Sequence, residues 1–343
     1  MSLDEAQIDS KNGYDRILMI SIKKVVWYRD FLFRHRAVKI CVLIESNRAM
    51  KSSEQLSKID GKTKIAGVFG YPVEHSLSPL FHNAAFARLG LNFVYLPFPV
   101  KPEELKIAVQ SIKSLNIVGM NVTIPHKEKV LPYLDQISPE AKVIGAVNTI
   151  HNKEGKLIGY NTDGDGFIVS LKKQGGFDPK DKNVFLLGAG GAAYAISFAL
   201  IKSGIKKLIL ANRTYSKGRA LLEHLKKIFQ DKCQLSLVEF IEKNSSFVMS
   251  EIDLLINATS VGMHSGDPLL IAPEILPPNI FIYDVVYNRK TPLLKLAEEK
   301  KLAFLGGLDM LVYQGALSFE IWTQQKAPVE VMKKALGKNV NRI

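Results

Sequence analysis

Short apolar runs alternate with amphipathic segments from residue 63 onward. Runs such as Lys64–Gly70 and Asn183–Leu187 are short and rich in Val, Ile, Leu and Phe, which predicts buried strands. Segments such as Asp163–Gln174 carry apolar residues at helical spacing and predict amphipathic helices. Repeated strand–helix units of this length predict an α/β fold, with mostly parallel sheets covered by helices on both faces.

The pattern assigns most of the chain to elements. The predicted strands are Lys64–Gly70, Asn92–Pro99, Ile117–Ile124, Val147–Asn152, Leu157–Asn161, Asn183–Leu187, Lys206–Leu210, Gln234–Phe240, Asp253–Asn257, Ile280–Val286 and Leu302–Leu305. The predicted helices are Ser78–Gly90, one beginning at Pro102, Asp163–Gln174, Gly191–Ser203, Ser216–Phe229, Pro292–Lys300, Leu308–Gln324 and Val329–Leu336. Ser78 before Pro79 predicts an N-cap with proline at the first helical position. Glu154-Gly155 predicts a hairpin turn.

These elements divide into two predicted α/β domains, in keeping with a length of 343 residues. The first spans residues 63–163 and is completed by the helices of 309–343. The second spans residues 164–308. The chain is expected to cross between them at Asp163–Gly166 and again at Gly306–Asp309.

Residues 1–62 differ from the rest of the chain in their pattern of apolar and charged residues, which predicts an appended N-terminal extension. Ile17–Ile22 favours a strand, and Val25–Ile44 alternates apolar and basic residues as an amphipathic helix does. Charges interrupt the apolar part and acidic residues are present, which is typical of neither a signal peptide nor a transit peptide. We interpret the segment as a poorly ordered extension upstream of a start near Met50, and assign it no role.

Composition and charge narrow the function classes. A hydrophobic content of 47% excludes a disordered chain. The net charge of +13 is spread over the sequence without an aromatic-interleaved basic patch. This favours a surface that attracts anionic small molecules over one that binds nucleic acid.

One uncharged stretch, Asn183–Ile201, is long enough to suggest a membrane span. Gly188-Ala-Gly190-Gly191 divides it into a strand and a helix, so no membrane span is predicted. The two cysteines, Cys41 and Cys233, cannot form a disulfide framework, which favours a reducing compartment and a cytoplasmic location. No residues have metal-ligand spacing, so no metal site is predicted.

A G-x-G-x-x-A pattern follows the predicted strand Asn183–Leu187 and opens a helix, as in dinucleotide-binding folds. Its backbone N–H groups are predicted to bind a pyrophosphate. The contacts are assigned to Gly188, Ala189, Gly190, Gly191 and Ala192.

The end of the next strand predicts which dinucleotide binds. An NAD site usually has Asp or Glu there. Here the strand leads into Asn212-Arg213-Thr214 with Lys217 nearby, and no acid. Arg213 and Lys217 suit a phosphate on the ribose 2′ position, so NADP is predicted.

Nine short motifs, taken in order, resemble the shikimate dehydrogenase family from about Ile65 to the C-terminus. The motifs are His75-Ser76-Leu-Ser78-Pro79, Asn121-Val-Thr123-Ile-Pro-His126-Lys127, Gly145-Ala-Val-Asn148-Thr149, Asn161-Thr-Asp163-Gly164, Gly188-Ala-Gly-Gly-Ala192, Asn212-Arg-Thr214, Asn257-Ala-Thr-Ser260, Tyr283-Asp-Val-Val-Tyr287 and Gly307-Leu-Asp-Met-Leu-Val-Tyr-Gln314. The resemblance implies a substrate-binding domain with a mostly parallel sheet, followed by a Rossmann-type NADP-binding domain. It also implies reversible NADPH-dependent reduction of 3-dehydroshikimate to shikimate, in aromatic amino acid biosynthesis.

The resemblance also implies residue roles. Reduction of a ketone by hydride needs a proton donor beside the carbonyl oxygen. Lys127 matches that acid/base, and Asp163 assists it and shares the substrate hydroxyls. The residues matched to substrate binding are Ser76, Ser78, Thr123, Lys127, Asn148, Asp163, Tyr287 and Gln314. Val285 and Gly307 match positions that line the nicotinamide pocket. His75 and His126 are not expected to transfer protons.

Two other functions stay open from the sequence. A related dehydrogenase that oxidises quinate as well as shikimate, with NAD or NADP, would share Lys127 and Asp163. A non-catalytic shikimate-binding sensor should lack this pair. A small-molecule substrate is the expected partner, with no nucleic acid or membrane, and the protein is expected to be a monomer or homodimer.

Overall fold

The computed structural model describes the backbone of residues 59–340 and the side chains of residues 59–337. These residues form two six-stranded sheets with helices packed against them, as the α/β prediction requires. The predicted strand Ile17–Ile22, the predicted helix Val25–Ile44 and the start proposed at Met50 lie outside the described residues.

The first sheet is built from strands before residue 161. Its strands are β1 (Lys64–Gly70), β2 (Phe93–Pro99), β3 (Gly119–Val122), β4 (Gln136–Ile137), β5 (Thr149–Lys153) and β6 (Lys156–Tyr160). The helices between them are α1 (Ser78–Arg88), α2 (Leu105–Ser114) and α3 (Pro139–Ile144). The strand order is β2-β1-β3-β5-β6-β4, and β5 alone runs against the other five. The sequence did not predict β4 and α3, because two and six residues are too short to show a period.

The second sheet is entirely parallel. Its strands are β7 (Asn183–Leu187), β8 (Lys207–Ala211), β9 (Gln234–Val238), β10 (Leu254–Asn257), β11 (Phe281–Asp284) and β12 (Ala303–Gly306). The remaining helices are α4 (Asp163–Lys173), α5 (Gly191–Lys202), α6 (Tyr215–Phe229), α7 (Ser246–Met249), α8 (Pro292–Glu299), α9 (Leu308–Thr323) and α10 (Val329–Val340). The order β12-β11-β10-β7-β8-β9 is the doubly wound order of a Rossmann fold, which places a ligand crevice at the carboxyl ends of β7 and β10.

Strand β7 shows why the uncharged stretch is not a membrane span. Val184, Phe185, Leu186 and Leu187 are all fully buried, since helices cover both faces of this central strand. The chain then turns at the glycines into α5. No helix within the part of the chain that the structure describes is long and apolar enough to cross a membrane.

The hairpin between β5 and β6 turns where the sequence predicted it. Glu154 (φ 53°) and Gly155 (φ 85°) both have left-handed backbone conformations, as a tight hairpin turn requires. The antiparallel register brings Asn148, just before β5, opposite the end of β6, where its backbone N–H donates to Tyr160 O at 3.0 Å. The two strands therefore bring Asn148 close to Asp163 at the start of α4.

The predicted N-cap at Ser78 is wrong. Ser78 is the first residue of α1, Leu77 occupies the cap position without a side-chain hydrogen bond, and Pro79 is second. The reason is local, because Ser76 Oγ accepts the backbone N–H of Ser78 at 3.3 Å. The hydroxyl of Ser78 is therefore not used for capping.

The last two helices return to the first sheet. Side chains of α9 and α10, including Phe319, Trp322 and Met332, pack against β1, β2 and α1 in one buried cluster. Trp322 Nε1 donates to Ile150 O of β5 at 2.9 Å. The core of the first sheet thus contains residues from both ends of the described chain.

Helix α4 connects the two sheets and packs closely on two other helices. A Cβ at Gly164 would lie 2.7 Å from Ala195 O of α5, and a Cβ at Gly166 would lie 2.7 Å from the backbone N of Gln314 on α9. These glycines let the start of α4 approach both helices at backbone distance. Asp163, Gln314 and α5 are therefore held together in one place.

Candidate active site

An ion pair between Lys127 and Asp163 forms the centre of the candidate site. Lys127 lies in the loop after β3, and Asp163 is the first residue of α4. Lys127 Nζ is 2.5 Å from Asp163 Oδ2, and the two side chains are 19% and 6% exposed. The lysine can therefore reach a ligand from the crevice, whereas the carboxylate is held behind it.

Asn148 fixes the orientation of the carboxylate. Its Oδ1 accepts the backbone N–H of Thr162 at 2.8 Å, and since that group can only donate, the amide orientation is settled. The Asn148 Nδ2 group therefore faces Asp163 Oδ1, to which it donates at 2.8 Å. One carboxylate oxygen is thus bound by Asn148 and the other by Lys127.

Behind Asn148 lies a buried polar network that the sequence did not predict. Thr149 Oγ1 donates to Asn148 Oδ1 at 2.9 Å and lies 2.7 Å from Ser318 Oγ. Asn121 Nδ2 donates to the backbone oxygen of Asn148 at 3.1 Å and to Ser318 Oγ at 3.0 Å. The network joins β3, β5 and α9, and it holds Asn148, and through Asn148 the carboxylate of Asp163, by buried hydrogen bonds.

Tyr95 of β2 continues this network toward Ser78. Its hydroxyl donates to Asn121 Oδ1 at 2.7 Å. Burial raises the pKa of Tyr95 well above its usual range, and a hydrogen bond with Ser78 opposes that shift. The phenol therefore remains protonated and lies between Asn121 and Ser78.

An aromatic environment fixes the Tyr95 ring. His82 stacks on it with ring centroids 4.3 Å apart and an interplanar angle of 6°, and Trp322 lies 6.1 Å away. His82 is fully buried, which lowers its pKa to about 3 and keeps it neutral. It therefore packs as an uncharged ring.

Of the other predicted substrate residues, Gln314 contacts this centre through Asn148. Ser76 is half-buried before α1, and Thr123 is half-buried after β3, where its methyl group faces Gly70. Gln314 Oε1 accepts from Asn148 Nδ2 at 3.2 Å. Tyr287 is close enough to Tyr95 to raise its pKa electrostatically. Tyr287 itself is half-buried in the segment after β11.

The two histidines of the motifs lie apart from the ion pair. His126 is fully buried and its Nε2 lies 2.6 Å from Val100 O, so its ring points into the protein. His75 is exposed in the loop before α1. Neither side chain hydrogen-bonds to Lys127 or Asp163 among the described contacts.

The glycine turn lies directly beside the ion pair. A Cβ placed on Gly191 would be 3.8 Å from Cδ of Lys127. Helix α5 begins here with Gly190 at its cap and no side-chain hydrogen bond to its first N–H groups. Gly190 has open space around it, and Gly188 has φ +120°. The pyrophosphate of a dinucleotide fits such a site, because the first N–H groups of the helix have no side-chain partner and the glycine turn has no side chains to block a close approach. Ala189 and Ala192 flank these glycines and are partly buried against the core of the second sheet.

The end of β8 suits an anionic group. Arg213, Thr214 and Lys217 are exposed there, and Asn212 Nδ2 donates to Thr214 O at 2.7 Å. Neither basic residue pairs with a carboxylate among residues 59–337. Both charges are therefore available to a phosphate on the ribose 2′ position.

Val285 and Gly307 meet on the other side of the crevice. Val285 follows β11 and Gly307 follows β12, and a Cβ on Gly307 would collide with the backbone oxygen of Val285. The loop after β10 lies close to the glycine turn, since a Cβ on Gly188 would be 2.7 Å from Ala258 O. In the described chain no cluster of three or more His, Cys, Asp and Glu side chains is placed to hold a metal ion.

Comparison with protein families matches three segments of the chain. Residues 68–150 match the shikimate dehydrogenase substrate binding domain, residues 170–263 match shikimate / quinate 5-dehydrogenase, and residues 307–336 match the shikimate 5′-dehydrogenase C-terminal domain. The shikimate dehydrogenase (NADP(+)) of Desulforamulus reducens is 44% identical over 286 residues, which cover 82% of this chain and 98% of that protein. The chain belongs to the shikimate dehydrogenase family.

Solved structures of shikimate dehydrogenases have the same fold. A crystal structure of a shikimate dehydrogenase in complex with NADP+ is 43% identical, with a TM-score of 0.77 over 83% of this chain and 98% of that one. The shikimate 5-dehydrogenase of Listeria monocytogenes, in complex with shikimate and NAD, is 39% identical, with a TM-score of 0.76 over 82% of this chain and 98% of that one. The predicted family and fold class are confirmed.

Gly188→Ala should impair dinucleotide binding in this shikimate dehydrogenase family member. An alanine disfavours φ +120°, and its Cβ would press on Ala258 O, so the turn must shift. We expect the Kd for NADPH, measured by its fluorescence, to rise about tenfold or more. Gly266→Ala, in an exposed loop with open space, is the control and should bind normally. Equal Kd values for the two variants would contradict the assigned role of the turn.

Proposed function

We propose that this protein catalyses the reversible NADPH-dependent reduction of 3-dehydroshikimate to shikimate. The observation that carries the proposal is the position of the Lys127–Asp163 pair beside Gly191 of the glycine turn. A proton donor and a dinucleotide-binding turn at the same crevice are what the reduction of a ketone needs. Relatives named for this activity cover most of the chain and support the same conclusion.

Lys127 is the general acid/base of the proposal. In reduction its Nζ donates a proton to the substrate carbonyl oxygen, and in oxidation it takes the proton back from the hydroxyl. NADPH, when bound, supplies the hydride. Asp163 holds the ammonium group in position and accepts a hydrogen bond from a ring hydroxyl of the substrate. Because Asn148 binds its Oδ1, the carboxylate cannot rotate away from Lys127.

The remaining polar residues bind the substrate. We assign its carboxylate to the hydroxyls of Ser76 and Ser78 at the start of α1, where the helix dipole favours an anion. The ring hydroxyls are assigned to the carboxylate of the ion pair and to three other polar side chains. These are Thr123, Asn148, Asp163 and Gln314. Tyr287 covers the Ser78 end of the pocket.

The cofactor is assigned to the crevice of the second sheet. Gly188, Ala189, Gly190, Gly191 and Ala192 bind the pyrophosphate through backbone N–H groups. Asn212, Arg213, Thr214 and Lys217 bind the 2′-phosphate end, and Val285 and Gly307 line the nicotinamide end. Together these backbone and side-chain groups orient the cofactor toward Lys127.

We further propose the domain division that the sequence predicts. Residues 63–163, completed by 309–343, bind the substrate, and residues 164–308 bind NADP. We place the enzyme in the cytoplasm, since its two cysteines suit a reducing compartment. We expect a monomer or homodimer, and light scattering of the purified protein distinguishes the two.

An assay of all four substrate and cofactor combinations tests the function. We expect NADPH to be consumed with 3-dehydroshikimate, and the kcat/KM for shikimate with NADP to exceed that for quinate and for NAD. A higher kcat/KM for quinate with NAD would replace the proposal by a quinate dehydrogenase. Binding of shikimate without any turnover would instead support a non-catalytic sensor.

Lys127→Ala should lose turnover while keeping affinity. Removing the proton donor takes away assistance in the transition state, so kcat should fall about 10²- to 10⁴-fold, with the Kd for shikimate changed only a few-fold. Lys129→Ala, at an exposed lysine two residues on, is the matched control. A Lys127 variant that retains most of its turnover would show that another group transfers the proton.

Arg213→Ala should change cofactor preference. The variant removes a forked charge partner of the 2′-phosphate, so the KM for NADP should rise about tenfold or more, with a much smaller rise for NAD. Steady-state kinetics with both cofactors measure this split. Lys227→Ala, exposed near the far end of α6, controls for loss of surface charge. Equal effects on the two KM values would refute the 2′-phosphate assignment.

A further inference from the structure

Asp284 is a buried carboxylate that the proposed reaction does not use. It is the last residue of β11 and has no exposed surface. Oδ2 accepts from Thr291 Oγ1 at 2.7 Å, and Oδ1 accepts from Asn257 Nδ2 at 2.9 Å and from Val286 N at 3.0 Å. Within the described residues no cation forms an ion pair with it.

A buried anion without a cation is costly to the folded protein. Burial raises the pKa of Asp284 to about 6, and the hydrogen bonds from Thr291, Val286 and Asn257 oppose that rise only in part. At neutral pH the carboxyl group is therefore mostly ionised. The free protein then contains a buried negative charge that a positively charged ligand nearby would stabilise.

The hydrogen bonds of Asp284 lead to the cofactor crevice. Asn257, which donates to the carboxylate, also accepts from the backbone N–H of Thr259 at 3.0 Å. Thr259 and Ala258 form the backbone that faces Gly188 of the glycine turn. On the other side, Val285 follows Asp284 directly and meets Gly307. The carboxylate thus lies beneath the two loops that border the crevice at the ends of β10 and β11.

We propose that the negative charge of Asp284 raises the affinity of this protein for the oxidised dinucleotide relative to its affinity for the reduced dinucleotide. The oxidised nicotinamide ring carries a positive charge, and the reduced ring does not. The two forms share every other charged group, so a buried anion near the ring distinguishes them by oxidation state. The inference rests on the proposed function for the identity of the cofactor and for the place of its nicotinamide end beside Val285 and Gly307.

This coupling has a defined sign with pH. As pH rises through about 6 the carboxyl group ionises, so affinity for NADP+ should rise relative to NADPH. The phosphates titrate equally in both forms, and their contribution cancels in the ratio of the two Kd values. Binding of NADP+ should in turn lower the pKa of Asp284.

Other titratable groups lie on the elements around Asp284. They are Tyr283 on β11, His264 and Asp267 on the loop after β10, Tyr287, Arg289 and Lys290 between β11 and α8, Lys295, Glu298 and Glu299 on α8, and Asp309 on α9. Lys290 pairs with Glu298 at 2.6 Å, and Asp267 accepts from two backbone N–H groups. His264 is exposed on the loop after β10 and is the one histidine of this set, so it needs its own control variant.

Asp284→Asn is the decisive variant. The amide is close in shape to the carboxylate, and its Oδ1 can still accept from Asn257 and Val286, whereas its Nδ2 must donate to Thr291 Oγ1, so the direction of that one hydrogen bond reverses. Kd values for NADPH by fluorescence and for NADP+ by competition are measured from pH 5 to 7.5 for wild type, Asp284→Asn and His264→Gln. We expect the Kd ratio, NADPH over NADP+, to rise about tenfold with pH in wild type and His264→Gln, as a coupling of about one pKa unit requires. In Asp284→Asn the Kd ratio should stay, at every pH, at the value that wild type shows at pH 5.

Each outcome bears on the proposal. A ratio that is independent of pH in wild type overturns it, even if Asp284→Asn does not fold. A pH-dependent ratio that survives in Asp284→Asn, or disappears in His264→Gln, also overturns it. Failure of the proposed function is distinguished separately, because wild type would then bind both dinucleotides yet not oxidise shikimate.

Discussion

The ion pair between Lys127 and Asp163 is the interaction on which the candidate site depends, because its members come from different parts of the fold. Lys127 follows a strand of the first sheet, whereas Asp163 begins the helix that packs on α5 of the second. A lysine held by a single exposed carboxylate would contribute little and move freely. Here Asn148 binds the second oxygen of the carboxylate, and the backbone of Thr162 fixes Asn148 in turn. The geometry is therefore set before any ligand arrives, which is what the proposed proton transfer requires.

The positions of the main strands and helices could be predicted from the sequence because strands covered on both faces are continuous apolar runs, as β7 shows. The cap at Ser78 was mispredicted because a competing hydroxyl, that of Ser76, lies two residues earlier. Strand β4 and helix α3 left no periodic signal. The roles given to the site residues stay predictions, although the structure places Lys127, Asp163, Asn148 and Gln314 within one set of contacts.

The network behind Asn148 could not be predicted, since its contacts have no local signature. Asn121 Nδ2 donates a hydrogen bond to Ser318 Oγ, although the two residues are 197 positions apart in the sequence. Each of these residues taken alone is an ordinary polar residue in a strand or helix. Only the folded chain shows that their donors and acceptors are matched, so that burying them leaves the site rigid rather than strained. The same holds for Asp284, which lies inside the predicted strand Ile280–Val286 and whose side chain is fully enclosed in a way that the sequence pattern does not reveal.

The return of α9 and α10 to the first sheet affects how the protein is made. On the ribosome, β1 to β6 emerge early, but the cluster around Phe81 lacks Phe319, Trp322 and Met332 until nearly the whole polypeptide has been translated. The segment that forms the second sheet is contiguous and has all of its strands by Gly306. Vectorial synthesis therefore allows the second sheet to form first, against the usual N-to-C order of domain folding. The candidate site and the network behind Asn148 are complete only once Gln314 and Ser318 have left the exit tunnel.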